Sequence, residues 1–583
     1  MKQKGISQII FTAIIFISVI GCEKEARLTG NSTPVSEMAL KSAPVSGGTV
    51  FTTIDRTIVA VAVPESSPLM KPWEVASFTK YGYGKWSFGP GIPCEKRFDL
   101  MAAGYCGTST KKRGDLLRFF TISDIHITDK EAPSQTIYYS FIPWIFQSAL
   151  SCYSPSMIYS THVLNAAINT VNVLDHQDPF DFGISLGDMA NTSIYKEIRW
   201  FIDVIDGKEI NPDSGKKDDP IKGPDNDYQD KYRAVGLNKS IPWYATIGNH
   251  DHFFIGAERF NERIKKSFTG NKILQLGNLF ADEDPLNLTT FSMGTLDGSS
   301  LNGDVIGAGR VAEMTTFPTI PPDPDRRVIT KEEMMKEFSR TSSVPKGHGF
   351  NSPNLFDGCY SFKPKSGLPL KVIVLDDTMD ESDPSRPKKG YGGGSLGNGR
   401  FEWLIKQLQG GQKEGELMII AAHVPIGVEP EGSVTGWYPD KITENEIITK
   451  CQEYPNLILW LAGHRHRNTV TPFPSSDPIH PEYGFWEVET KSLREFPQQF
   501  RTFDIRLNND NTISIFTINI DPEVKDYPFA ANSRFLAIAA YQAYGLDKLI
   551  TTEGPSSYNA ELLKPLTPEM QLTLKKFASK STK

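Results

Sequence analysis

The sequence has few cysteines and no excess of basic charge. Only six cysteines occur among 583 residues, and none of them has the paired spacing of a zinc-thiolate site. The formal net charge is -7 at pH 7, so the chain lacks the basic footprint of a nucleic-acid-binding protein. A zinc-thiolate module is therefore excluded, and we expect no nucleic-acid partner.

Long hydrophobic runs are absent after residue 22, where no segment is long and apolar enough to cross a bilayer. Before that point Lys2 and Lys4 precede an apolar run over 9–20, which is typical of a secretory signal. The run ends in Val19-Ile20-Gly21-Cys22, which resembles a bacterial lipobox, in which the cysteine is lipidated and becomes the mature amino terminus. Simple cleavage and an uncleaved anchor are the alternatives. We therefore expect an exported protein, lipid-anchored through Cys22 to a bacterial membrane surface on its periplasmic or cell-surface side.

Five of the six cysteines remain when Cys22 is set apart, an odd number in a compartment that permits disulfides. Cys94 and Cys106 lie close together in a loop-like region, so a bridge between them and two free thiols are both compatible with the sequence. Cys152, Cys359 and Cys451 are explained equally well as buried free thiols.

Five apolar segments each run into aspartate, asparagine or histidine. They are 116–123 before Asp124-Ile125-His126, 182–186 before Gly187-Asp188-Met189-Ala190-Asn191, 241–247 before Gly248-Asn249-His250-Asp251, 417–422 before His423, and 457–461 before Ala462-Gly463-His464-Arg465-His466. Strands of an α/β sheet deliver the residues that follow them to the edge where such proteins keep their chemistry. A lone His-x-His is weak evidence for a metal site. Five such strand ends in order are hard to obtain by chance, so we predict that they form one site.

In chain order these motifs read D-x-H, G-D-x-x-N, G-N-H-D, H and G-H-x-H. That order resembles the calcineurin-like metallophosphoesterases over roughly residues 115–520. The resemblance implies an α/β fold, a four-layer αββα sandwich, which would here carry large insertions and an added amino-terminal region. It also implies a metal-dependent phosphoesterase that hydrolyses a phosphomonoester or phosphodiester by attack of a hydroxide held between two metal ions.

The resemblance also implies a role for each motif residue. One ion would be held by Asp124, His126 and His466, the other by Asn249, His423 and His464, and Asp188 would bridge the two. This mixture of imidazole, amide and carboxylate suits two divalent ions of Mn, Fe or Zn rather than Ca. His250 would protonate or stabilise the leaving oxygen, and Asp251 would fix its tautomer and raise its basicity. Asn191 is predicted to support the site or its turn rather than to bind metal.

Other residues near the motifs have no assigned role. Arg465 and His252 are each explained either as contacts to substrate phosphate or as surface residues. Asp376 and Asp377 follow the predicted strand 371–375 and are predicted to be structural. The glycine-rich segment 390–399 lacks the Lys-Ser/Thr ending of a nucleotide-binding loop, so we predict a flexible connection.

Composition and periodicity divide the chain into five segments. They are a signal peptide (1–22), which the lipobox resemblance makes a lipoprotein signal, a flexible tether (23–48), a β-rich amino-terminal addition (49–114), a domain that the resemblance implies to be metallophosphoesterase-like (115–525) and a helical carboxyl-terminal extension (526–583). The aromatic insertion 132–159 is predicted either to cover the cleft or to pack on the core. The charged insertion 207–240 is predicted to be a solvated surface excursion.

Two classes of function remain open at the level of sequence. The leading prediction is the phosphoesterase, because every motif position is intact. The alternative is a non-catalytic envelope-binding lipoprotein that retains the fold, since a fold does not by itself determine function. The sequence indicates neither which phosphate ester is the substrate nor the oligomeric state.

Overall fold

The structure is a computed structural model that describes residues 50–581, all in one compact unit. The residues not described within that range are 72, 108–109, 139–151, 217–218, 277–290, 381–389, 431, 434–435, 439–441 and 546–553. The predicted signal peptide 1–22 with Cys22 and the tether 23–48 lie outside the described residues. Among the described helices, none has the length and apolar character needed to cross a bilayer.

The strands and helices follow one another along the whole described chain. The strands are β1 (Arg56–Ala60), β2 (Trp86–Pro90), β3 (Glu95–Arg97), β4 (Lys112–Ile122), β5 (Phe182–Ser185), β6 (Glu209–Ile210), β7 (Tyr232–Arg233), β8 (Trp243–Ala245), β9 (Gln275–Leu276), β10 (Phe291–Thr295), β11 (Ile306–Arg310), β12 (Tyr360–Phe362), β13 (Leu370–Val374), β14 (Leu417–Ala421), β15 (Leu457–Ala462), β16 (Thr469–Phe473), β17 (Phe485–Glu489), β18 (Phe500–Asn508), β19 (Thr512–Ile520) and β20 (Ala560–Pro565). The α-helices are α1 (Phe78–Tyr81), α2 (Ser160–Gln177), α3 (Tyr195–Ile205), α4 (Glu262–Thr269), α5 (Lys331–Glu337), α6 (Asn398–Glu414), α7 (Glu444–Cys451), α8 (Pro528–Ala543), α9 (Pro555–Tyr558) and α10 (Pro568–Ser581).

Two mixed sheets carry the core of the described structure. One is ordered β3-β20-β19-β18-β4-β5-β8 and the other β12-β13-β14-β15-β17-β16. In the first sheet β4, β5 and β8 are parallel neighbours, and in the second β13, β14, β15 and β17 are parallel. Parallel neighbours end at the same edge, so the residues that follow them are brought close together.

The two sheets pack face to face, with helices outside. Phe182 of β5 contacts Phe362 of β12 in the other sheet, with ring centroids 5.5 Å apart. Side chains point alternately to the two faces of a sheet along each strand. On the outer face of the second sheet, Ile373 of β13 packs in one cluster with Leu404 of α6. Helices α2 and α3 pack in the cluster that contains the apolar residues of the first sheet. The predicted α/β sandwich is confirmed, and its layers run helix, sheet, sheet, helix.

The predicted elements around the site are present with small shifts of their ends. The helix expected over 160–174 is α2, and the strands expected over 484–489, 500–507 and 513–520 are β17, β18 and β19. The prediction of a helical extension over 526–583 agrees with α8, α9 and α10 and is wrong for 560–565, which form β20. β20 lies between β19 and β3 inside the first sheet, so position 525 is not a structural boundary, and β3 of the amino-terminal addition belongs to the same sheet.

Both insertions contain residues that are buried against the rest of the protein. In 207–240, Tyr228 is 1% exposed, and the backbone N–H of Ser214 donates to the carboxylate of Glu131 at 2.8 Å. The prediction that this insertion is solvated is therefore wrong for these residues. Of the aromatic insertion, 132–138 and 152–159 are described, and Tyr153 and Tyr159 are buried in a cluster with Phe78. These parts pack on the core, while 139–151 lies outside the described residues.

The sequence leaves open whether Cys94 and Cys106 form a bridge, and the structure does not join them. Cys94 is a partly buried free thiol, and Cys106 is exposed. Cys152, Cys359 and Cys451 are all buried, and Cys359 and Cys451 are free thiols.

Candidate metal centre

All seven predicted metal ligands come together at the edge where the parallel strands end. Four of them follow β4, β5 and β8 of the first sheet, and three follow β14 and β15 of the second. The ligand atoms of six of them form two compact groups, each within 4.8 Å: Asp124 with His126 and His466, and Asp188 with His423 and His464. His126, Asp188 and His250 form a third group that overlaps both.

The backbone at these strand ends is unusual. Five of the predicted ligands have left-handed backbone angles, with φ of 51° at Asp124, 47° at His126, 51° at Asp188, 73° at His464 and 55° at His466. Residues other than glycine rarely adopt this conformation, which costs about 1–3 kcal/mol per residue and tends to occur at functional sites. The fold therefore sustains local strain to direct these side chains inward.

Asp188 is at the centre of the cluster. Its Oδ2 atom lies 3.6 Å from Nε2 of His126 and 3.4 Å from Nε2 of His423, and its Oδ1 accepts a hydrogen bond from the backbone N–H of His250 at 2.8 Å. Burial raises the pKa of Asp188, but the surrounding imidazoles of His423, His250 and His126 outweigh it and hold the pKa well below its ordinary value. One carboxylate oxygen thus faces imidazoles of both groups.

Asn249 contributes an oxygen to one group. Its Nδ2 donates to the carbonyl oxygen of Gly256 at 2.8 Å, which identifies the other side-chain atom as the oxygen. That Oδ1 lies 2.9 Å from Nε2 of His423 and 3.1 Å from Nδ1 of His464. Burial lowers the pKa of His423, but the carboxylates of Asp188, Asp124 and Asp377 outweigh it and raise the pKa to about 10. The same negative charge would favour a bound cation.

The other group is built around His466. Its Nε2 lies 3.3 Å from Oδ1 of Asp124 and 3.2 Å from Nε2 of His126. Burial lowers the pKa of His466, but Glu495 and Asp124 outweigh it and raise the pKa to about 10. Burial and the neighbouring His250 lower the pKa of His126 well below its ordinary value, which keeps that imidazole neutral as a metal ligand requires.

His250 is oriented differently from the prediction. Its Nδ1 lies 2.8 Å from the carbonyl oxygen of Asn191. The carboxylate of Asp251 instead accepts hydrogen bonds from the backbone N–H groups of Met189, Ala190 and Gly248. The expectation that Asp251 fixes the tautomer of His250 is therefore wrong, because neighbouring residues of a helical turn do not face each other and residues 249–251 form such a turn. Asp251 holds the two motif loops together.

Arg465 and His252 do not lie on an open surface. Arg465 donates to the carboxylates of Glu489 and Glu429 at 2.8 Å each. His252 is 3% exposed, and its Nε2 lies 2.9 Å from the hydroxyl of Thr378. Each side chain is therefore engaged with the protein, and the surface interpretation is wrong for His252.

Asp376 and Asp377 are structural, as predicted. Asp376 forms ion pairs with Lys331 at 3.0 Å and Arg400 at 3.2 Å. Asp377 accepts hydrogen bonds from the backbone N–H groups of His423 and Val424, at 3.1 and 2.9 Å. Asp377 thereby holds the loop that presents His423.

A polar segment that follows β17 also contacts the site residues, although it was not predicted from the sequence. The hydroxyl of Ser492 donates to the backbone carbonyl of Asp124 at 2.7 Å, Arg494 donates to the side-chain oxygen of Asn191 at 2.7 Å, and Glu495 lies 3.0 Å from His466. These residues match no motif. They follow the buried parallel strand β17, whose sequence Phe-Trp-Glu-Val-Glu lacks the apolar run that marks the other strand ends.

Glycine is required at two places where backbone passes the predicted ligands. A Cβ atom on Gly248 would lie 2.2 Å from Oδ1 of Asp188, and one on Gly463 would lie 2.6 Å from Oδ2 of Asp124 and 1.9 Å from the hydroxyl of Ser123. Only a glycine leaves these carboxylates in place. The imidazole and amide donors, the two carboxylates and this close packing fit a pair of divalent metal ions.

Gly463→Ala should weaken the metal ion that Asp124 would hold by about tenfold or more, because the new methyl group displaces that carboxylate. Metal content and affinity, measured by competition with a chelator, test this result. Gly397→Ala is the matched control, since a Cβ atom there meets nothing within 4 Å and φ is -76°. Parental affinity in Gly463→Ala would show that Asp124 is not held as described.

No model of a known protein family matches the chain. No curated protein matches it either. Among solved structures it is similar to the crystal structure of a dimetal phosphatase from Danio rerio, at 10% sequence identity and a TM-score of 0.36, over 70% of this chain and 100% of that chain. A similarity this low adds nothing to the geometry described above.

Proposed function

We propose that this protein is a metal-dependent phosphoesterase that hydrolyses a phosphomonoester or a phosphodiester. The observation that supports this most directly is the convergence of the seven predicted ligands from two sheets into two groups, with Asp188 facing imidazoles of both. His250 adds an imidazole at the same place. A dinuclear site with a neighbouring proton-transfer group has the components that phosphoester hydrolysis needs.

Each predicted ligand has a place in this proposal. Asp124, His126 and His466 would hold one divalent ion, Asn249, His423 and His464 the other, and Asp188 both. Two ions of Mn, Fe or Zn would supply Lewis-acid chemistry, lowering the pKa of water and neutralising charge on the phosphoryl oxygens.

His250 would serve the leaving oxygen. A carbonyl oxygen accepts but cannot donate, so the contact with Asn191 assigns the proton to Nδ1 of His250. Nε2 is then the nitrogen available to the substrate, and in the imidazolium form it would donate a proton to the ester oxygen as the bond to phosphorus breaks. The Arg494 side chain holds Asn191 from the other side, which keeps the imidazole in this orientation.

The burial pattern indicates the direction from which substrate arrives. Asp188 is 1% exposed and His423 is fully buried, whereas the side chain of His466 is 12% exposed and His464 is partly exposed. A phosphate ester would therefore approach from the side of the last motif. The buried side would exclude bulk water and strengthen the electrostatic interactions within the site.

We further propose that the reaction takes place outside the cytoplasm. Residues 1–22 support this through the charged start, the apolar run and the lipobox-like ending at Cys22. Lipid chains on Cys22 would hold the protein to a membrane surface without spanning it.

The proposed function predicts metal-dependent hydrolysis by the purified protein. Chelator-treated protein should hydrolyse neither aryl phosphate monoesters nor diesters, and adding back Mn, Zn or Fe should restore turnover of at least one ester class. Chelator-treated protein given buffer alone is the control. Two bound ions without turnover of either ester would contradict the enzyme and favour an envelope-binding role.

A further inference from the structure

We propose that Glu495 is a positioning residue that orients His466 and strengthens one of the two metal ions. This inference rests on the proposed function, because it concerns the same metal centre. No sequence motif includes Glu495, and its partner His466 is separated from it by the whole of β16 and β17.

The geometry assigns the two nitrogens of His466 to different tasks. Nδ1 lies 3.0 Å from Oε1 of Glu495. The opposite nitrogen, Nε2, faces Oδ1 of Asp124 at 3.3 Å and Nε2 of His126 at 3.2 Å. A carboxylate that accepts the Nδ1 proton leaves Nε2 unprotonated toward the ion and makes it a stronger donor.

Glu495 is itself held in place from a second direction. The hydroxyl of Tyr541, on α8, donates to Oε2 of Glu495 at 3.1 Å, so each carboxylate oxygen has a partner. The residue is 4% exposed. With both oxygens engaged in this way, the carboxylate orients a ligand and is not itself a ligand.

The two groups of predicted ligands differ in the partner of a histidine Nδ1 atom. Nδ1 of His423 lies 2.7 Å from the backbone carbonyl oxygen of Leu186, which is a neutral partner. His466 has a carboxylate instead. Since an anionic partner adds both basicity and negative charge, the ion held by His466 depends on Glu495, whereas the ion held by His423 does not.

The test is a measurement of the affinity of each ion by chelator competition with Zn or Mn, using the purified protein and its variants. Glu495→Ala should weaken one ion by about 10- to 100-fold and leave the other unchanged. Glu495→Gln keeps an acceptor without the charge and should retain part of that affinity. Tyr541→Phe should weaken the same ion by a smaller factor.

The chain offers a matched control. His480 and Glu482 make the same type of contact at 3.1 Å, but the side chain of His480 is 55% exposed. Glu482→Gln should therefore leave both ions unchanged. Thermal unfolding of every variant separates a loss of folding from a loss of metal.

Parental affinity for both ions in Glu495→Ala would overturn the inference and leave the proposed function intact. Equal weakening of both ions in Glu495→Gln and Tyr541→Phe would also overturn it, because a structural role would act on both. A parent protein that binds no ions would overturn the inference and the proposed function together.

Discussion

Asp188→Asn should weaken both metal ions together. Oδ2 of Asp188 faces imidazoles of both groups, so replacing the carboxylate by a neutral amide removes the shared ligand and its charge. Loss of a direct ligand should cost at least about 100-fold in affinity at each ion, the upper end of the range for outer partners. Metal analysis after dialysis, together with turnover at fixed metal concentration, measures the effect.

Asn249→Ala is the comparator for this variant. The Oδ1 atom of Asn249 contacts only imidazoles of one group, those of His423 and His464. That variant should lose affinity for one ion and keep the other. If Asp188→Asn still bound two ions tightly, the bridging assignment would be wrong.

His250→Ala should preserve metal content and reduce turnover by about two to four orders of magnitude. The contact to Asp188 is made by the backbone N–H of His250, which alanine retains, whereas the imidazole that would serve the leaving oxygen is lost. Steady-state kinetics at saturating metal, paired with metal analysis, separate the two effects.

His348→Ala controls for the removal of a buried imidazole. His348 stacks on Trp243 at the opposite end of β8, with ring centroids 3.5 Å apart, so that variant should lose stability but keep its turnover per folded molecule. Unchanged turnover in His250→Ala would remove His250 from the mechanism. Loss of an ion would instead make it a ligand, since its ring groups with His126 and Asp188.

The sequence contained enough information to predict the layers of the fold and the position of the site. An apolar run followed by aspartate, asparagine or histidine indicates where a buried strand ends. Such a pattern is local, so it can be recognised from the sequence alone. The structure brings all seven predicted ligands together, and their roles as ligands remain predictions for the experiments above.

The missed features depend on contacts between distant parts of the chain. β20 carries the sequence Ala-Glu-Leu-Leu-Lys-Pro, which has little of the β-branched and aromatic character of a strand, and it becomes one because β19 and β3 flank it. Glu495 likewise acquires its place only when the loop after β17 reaches the last motif. Asp251 also contacts Met189 and Ala190 of another motif, although its neighbour in sequence is His250.

The division of the predicted ligands between two sheets makes the apolar core part of the chemistry. Each ion would be held by residues of both sheets, so the spacing between the sheets sets the distance between the two sets of ligands. Packed sheets stand about 10 Å apart, a distance determined by the volumes of the side chains between them. A substitution at the contact of Phe182 with Phe362 would therefore change the distance between the two sets of ligands without altering a ligand. The apolar core thus sets the geometry of the metal centre.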